Sequence, residues 1–258
     1  MSEDEKLPFT THLEELRKRL IICFIAVGVG FVACYFFSKH LFTLLMHPLL
    51  VAMPEEADLI HSGLVYTGPA EAFFTYLKVA FLAGVLLAVP VIMYQLWMFI
   101  APGLYHKEKR LLLPVVFLSS FFFLGGALFG YYIVFPFGFK FFMGFANEFI
   151  KPLPSMREYL SFSTKLLIAF GIVFEMPLFI TFLAKLGMVD VKFLKTQRKY
   201  AILLFFVFAS ILTPPDVITQ VMMAGPLMLL YEISIVGAKV FGKKRVKTDV
   251  EETPESAG

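Results

Sequence analysis

The run Lys165-Leu-Leu-Ile-Ala-Phe170-Gly-Ile-Val-Phe-Glu175-Met-Pro177-Leu-Phe-Ile180-Thr-Phe-Leu-Ala-Lys185 decides how this chain is read. Between its two lysines Glu175 is the one ionisable residue, and it stands ten positions from each. About 20 apolar residues cross a hydrocarbon core of roughly 30 Å, so this run is long enough to span a bilayer. Glu175 then falls near the midplane, where an unpaired charge costs at least ~2.5–3.5 kcal/mol. Pro177 should kink the helix or free a backbone carbonyl beside the acid. A carboxylate so placed must be protonated, hydrated in a cavity, or bonded to a polar neighbour. Ser119, Ser120 and Gln220 are the candidate neighbours on other apolar segments.

The rest of the composition agrees with a membrane protein. Of 258 residues 59% are hydrophobic and 17% charged, against about 45–50% and a quarter in soluble domains. The mean hydropathy is +0.78. Cys23 and Cys34 fall in one predicted helix, which points to no disulfide framework and no metal site. Met1–Lys6 is acidic and the first apolar run starts only at Leu20, so no cleavable signal peptide is expected.

Six apolar segments can be drawn: Leu20–Phe37, Val79–Trp97 with Pro90 inside it, Leu111–Phe135, Phe162–Leu186, Ala201–Leu212 and Val217–Val236. The expected fold is an all-α membrane protein of six transmembrane helices. The fifth segment covers only about 18 Å at 1.5 Å per residue. It meets the sixth at Thr213-Pro214-Pro215-Asp216, a turn that no helix crosses. The pair should make a shallow hairpin that thins the bilayer or stops part-way through it.

Basic residues orient the chain. With both termini cytoplasmic, 17 of the 23 Lys and Arg lie inside, six outside. Three regions result: a cytoplasmic amphipathic segment (1–19), a membrane domain (20–236) and a tail (237–258) that is basic, then acidic and disordered. The external connections, about 38–78 and 136–161, are long and apolar in places, and are expected to hold interfacial helices packed over the bundle.

No motif for a metalloprotease, a serine hydrolase, a P-loop or a dinucleotide site is present. The five histidines lack metal-ligand spacing. The expectation is a protein that is not an enzyme and has no cofactor, no metal and no nucleic-acid partner. The chain has no internal repeat, a mark of many secondary transporters. A proton-coupled small-solute transporter using Glu175 remains the alternative reading.

Two stretches carry the other candidate residues. In Thr11-His12-Leu13-Glu14-Glu15-Leu16-Arg17-Lys18-Arg19-Leu20, the leucines at 13, 16 and 20 share one helical face, as in an interfacial helix. Thr11 and Glu14 have the spacing of a capping box. Glu15 either pairs with Arg19 one turn on or awaits a cationic ligand. In Phe99-Ile100-Ala101-Pro102-Gly103-Leu104-Tyr105-His106-Lys107-Glu108-Lys109-Arg110, Glu108 stands among three cations. It either neutralises them or, together with Glu15, forms a pair of carboxylates suited to two guanidinium groups. Glu232 lies near the inner end of segment six, where it can snorkel to water.

These two stretches, together with Phe174-Glu175-Met176-Pro177 and Leu212-Thr213-Pro214-Pro215-Asp216, resemble the TatC family over roughly Leu13 to Ala238. That family supplies the multispanning receptor subunit of the twin-arginine protein translocase. The resemblance implies a concave, glove-like bundle in the bacterial cytoplasmic membrane, with folded cargo exported at the expense of the proton-motive force. It implies that Glu15 and Glu108 contact the paired arginines of a signal peptide, with Arg17 organising that site. It implies that Asp216 and Gln220 lie where the single-span partners TatA and TatB pack. Membrane lipids and further copies of the chain are the other implied partners. The inner segments hold 11 acids against 17 bases, a net of +6. A cationic peptide must therefore be held by close, oriented carboxylates rather than by a diffuse field.

Overall fold

The computed structural model describes residues 9–52, 64–65, 68–100, 112–145, 155–212 and 217–242. Among them the fold is all-helical: α1 (Phe9–Tyr35), α2 (Ser38–Ala52), α3 (Glu71–Ile100), α4 (Leu112–Phe129), α5 (Phe135–Met143), α6 (Met156–Phe174), α7 (Met176–Lys185), α8 (Val191–Thr196), α9 (Arg198–Leu212) and α10 (Val217–Phe241). The turn Thr213–Asp216 and the tail beyond Gly242 lie outside the described residues.

Helices α1 and α3 run antiparallel, as two pairings show: Arg19 faces Gln95, and Gly30 faces Gly84. The glycines bring the two backbones together, since a Cβ on Gly30 would lie 2.7 Å from the Gly84 carbonyl oxygen. Such close approach is how helices associate where lipid removes the hydrophobic drive. The first span is one unbroken helix from Phe9, so the amphipathic segment expected at 1–19 continues into it. Leu13, Leu16 and Leu20 face outward. Thr11 is a helical residue rather than the cap, which leaves Glu14 without its expected capping role.

Pro90 does not break α3, and Pro226 does not break α10. In lipid the helical path is the one that satisfies the remaining backbone groups, so a proline that removes one bond and crowds the carbonyl four residues back is still tolerated. Among the described residues five helical segments are long and apolar enough to cross a membrane, α10 among them. Helix α9 has 15 residues and covers about 22 Å.

Among their described residues the long connections 38–78 and 136–161 are largely helical. Helix α2 buries Phe42, Leu45 and Leu49, spaced on one face, against the bundle. Pro48 lacks the N–H that would bond Leu44's carbonyl, and the Tyr131 hydroxyl donates there instead. The Tyr159 hydroxyl donates to the next carbonyl, that of Leu45. Helix α4 passes through a π-helical turn, Gly130–Val134, into α5, whose second residue is Pro136. The wider turn absorbs the proline, and the Phe135 N–H bonds back to the Gly130 carbonyl. The start of α6 is tied to the start of α3. Arg157's backbone N–H donates to Glu71 Oε1 at 3.0 Å, and Met156's donates to the Val65 carbonyl at 3.0 Å.

Helices α4 and α6 are antiparallel, with Gly130 over Leu166 and Ser119 over Glu175. Phe135, Phe170, Leu160 and Leu166 are almost fully buried in the core between them.

Candidate functional site

Glu15 lies on the face of α1 turned to α3, near the N-terminal end of the bundle. Arg19 donates to its Oε1 through both Nε, at 3.0 Å, and Nη2. The same guanidinium reaches across with Nη1 to Gln95 Oε1 at 3.3 Å. One turn toward the N-terminus, His12 stacks on Phe99 with ring centroids 4.4 Å apart. The local pairing of Glu15 with Arg19 is therefore formed. It takes up one carboxylate oxygen and leaves Oε2 without a partner among the described residues. Arg17 is exposed and has no hydrogen-bonding or ionic partner there. Glu108 lies outside the described residues, as does Asp216.

Glu175 sits at a break. Helix α6 ends at Phe174 and α7 begins at Met176, so the acid occupies the joint instead of preceding a smooth kink at Pro177. Pro177, at the second position of α7, cannot bond back across that joint. Of the three expected neighbours Ser119 is the one in contact: its hydroxyl donates to Glu175 Oε2 at 2.6 Å. Ser119 in turn accepts the Trp97 indole N–H at 2.6 Å, and Trp97 packs edge-on against Phe182. Ser119 is fully buried and Trp97 is 4% exposed. Glu175 Oε1 is buried without a hydrogen-bond partner among the described residues. The chain from Trp97 to Ser119 to Glu175 thus fixes one oxygen and leaves the other available inside the bundle. Ser120 bonds the Val116 carbonyl of its own helix.

Gln220 is not near Glu175 by any bond. Its Nε2 donates to the Phe206 carbonyl at 3.0 Å and ties α10 to α9. Glu232, expected to snorkel, pairs with Arg198 at 2.6 Å across the same two helices. Gln95 and Trp97 belong to none of the motifs that mark the sequence, yet both take part in these bonds. Both were legible as hydrogen-bonding side chains in the apolar run Val79–Trp97, and Trp97 is the only tryptophan of the chain.

A multispanning all-helical membrane protein with carboxylates at a helix end and at mid-bundle is what the fold and these sites define. The family model described as "Sec-independent protein translocase protein (TatC)" matches residues 11–226, and the chain belongs to that family. It is 60% identical over 255 residues to the TatC protein of Desulforapulum autotrophicum, covering 99% of this chain and 92% of that one. It is 43% identical over 241 residues to the TatC protein of Aquifex aeolicus, covering 93% and 98%. A crystal structure of the twin arginine translocase receptor TatC superposes with a TM-score of 0.78 at 43% identity, covering 89% of this chain and 99% of that one. These likenesses support the translocase reading and lend nothing to the solute-transporter one.

Proposed function

We propose that this chain is the signal-peptide receptor and core subunit of a twin-arginine translocase, exporting folded proteins across the bacterial cytoplasmic membrane on the proton-motive force. Glu15 and Glu108 take the two arginines of the signal peptide, with Arg17 organising that site. Asp216 and Gln220 lie where TatA and TatB pack. The protein works as a homo-oligomer in lipid, and its termini are cytoplasmic, as the 17-to-six division of basic residues supports. It is not an enzyme, and it uses no cofactor.

The observation that carries this reading is the open Oε2 of Glu15 at the end of the α1–α3 pair, in a chain with near-full-length likeness to a twin arginine translocase receptor. A carboxylate with one oxygen already hydrogen-bonded keeps free lone pairs on the other, where it can accept a further guanidinium. The test is site-specific crosslinking from positions 15, 108 and 220, with and without a twin-arginine signal peptide. Peptide-dependent adducts at 15 and 108 are expected, and partner-helix adducts at 220. The absence of precursor adducts at both acidic positions would overturn the site.

A further inference from the structure

We propose that the cavity between the first turns of α3 and α6 binds the phosphate of an anionic phospholipid, in the leaflet on the side opposite the N-terminus. The cavity has a volume of about 410 Å³ and is lined by Glu71, Phe74, Thr75 and Lys78 of α3 and by Arg157 and Leu160 of α6, with Gly68 and Ser155 at its rim. The sequence division of basic residues assigns six of the 23 to this side, and two of those six, Lys78 and Arg157, converge on this one cavity.

Both side chains are exposed, and neither forms an ion pair among the described residues. No ion pair joins Glu71 to either cation. Its Oε1 accepts the Arg157 backbone N–H at 3.0 Å and its Oε2 the Gly68 N–H at 3.4 Å. Those bonds, with the Met156-to-Val65 bond, hold the walls in place before any ligand arrives. What remains is a preformed hollow with a planar guanidinium and a mobile ammonium at its mouth. That combination suits a phosphate group, which the arginine can grip at two oxygens and the lysine as a point charge.

Depth selects a lipid over a dissolved anion. Lys78 abuts the apolar run Val79–Trp97, and Phe73 and Phe74 are exposed beside it. Leu82, one turn further on the same face of α3, lines an apolar groove of about 310 Å³ with Leu41, Leu45 and Leu128. A headgroup held at Lys78 would therefore have an acyl path directly beneath it.

The test uses the purified full-length protein in detergent, titrated with phosphatidylglycerol, phosphatidylcholine or inorganic phosphate and read by native mass spectrometry. Phosphatidylglycerol affinity should fall about fivefold in Lys78→Gln or Arg157→Gln and roughly thirtyfold in the pair, at about one lost basic contact each. Lys78→Arg should restore most of it, and phosphatidylcholine binding should not change. Lys140→Gln, removing another exposed cation of the same side, should have no effect. Wild-type phosphatidylglycerol retention in the double variant would overturn the site. Equal loss in Lys140→Gln would do so too, showing a diffuse field, and so would displacement of the lipid by an equal concentration of inorganic phosphate. No signal peptide enters the measurement, so its outcome is independent of the receptor assignment.

Discussion

Gln95 and Trp97 stand two residues apart on α3 and serve opposite neighbours. Gln95 accepts a hydrogen bond from Arg19 of α1, whereas Trp97 donates to Ser119 of α4. Two positions on a helix are about 200° apart, so one turn of α3 fastens Glu15's partner on one side and Glu175's on the other. The two candidate carboxylates are thus positioned from the same short piece of backbone.

Ser119→Ala would strand both the Trp97 N–H and Glu175 Oε2 in a buried setting. Each unsatisfied group costs about 1–3 kcal/mol, so the melting temperature in detergent should drop by several degrees. Trp97 is the only tryptophan, so its emission reports on this chain of bonds directly. An unchanged melting temperature together with an unchanged spectrum would contradict the network.

At Glu175, glutamine keeps an oxygen that can accept from Ser119, whereas leucine leaves that hydroxyl facing a methyl group. Glu175→Gln should retain most transport in inverted membrane vesicles, and Glu175→Leu should weaken co-purification of partner subunits. Equal damage from both would mean that the acid's proton is required, which is what the solute-transporter reading expects.

Glu15→Ala and Glu108→Ala should each weaken twin-arginine precursor crosslinking about tenfold or more, the scale of one lost charge-assisted hydrogen bond. Loss of the Glu15–Arg19 pair itself should cost only about 0.5 kcal/mol of stability. Retained membrane insertion with lost crosslinking separates recognition from folding. Full crosslinking in both variants would remove the carboxylates from the site.

Gly84→Ala should destabilise the α1–α3 pair by about 1–3 kcal/mol, the usual range for overpacking, since its Cβ would lie 2.5 Å from the Phe31 backbone nitrogen. Gly28→Ala is the control on α1: nothing stands within 4 Å of a Cβ there, and it should be neutral. A double-cysteine crosslink between α1 and α3, scored in both variants, distinguishes them. Equal efficiency in the two would sink the close-packing account.

The spans were legible because hydrophobic length is enough to mark a helix in lipid, and Glu175 was legible because a midplane acid has few explanations. The joint at Glu175 was not. A proline at 177 announces a disturbance, but whether the helix bends or parts there, and that the acid itself takes up the joint, is not written in the residue pattern. Nor could Pro48, Pro90 and Pro226 be told apart by inspection, although Pro48 is matched by a tyrosine 83 positions away that bonds the carbonyl it frees. Glu15 had two local readings, and the pairing with Arg19 turned out to be compatible with both, because it consumes only one oxygen. Gln95 and Trp97 went unnoticed because their importance lies in what they touch across helices rather than in any motif.

The contact of Gly30 with Gly84 also bears on how the protein is made. Among the described residues helix α1 packs on α3 and touches little else beyond α2, so the contact between those two helices can form once the chain has been synthesised as far as Ile100. Nothing from α4 to α10 is needed to close it. Helices that insert singly and then pair in the bilayer can here begin with the first two, giving the nascent chain an early, ribosome-proximal hairpin. The later helices then assemble against α3's other face, which the pairing with α1 has already oriented.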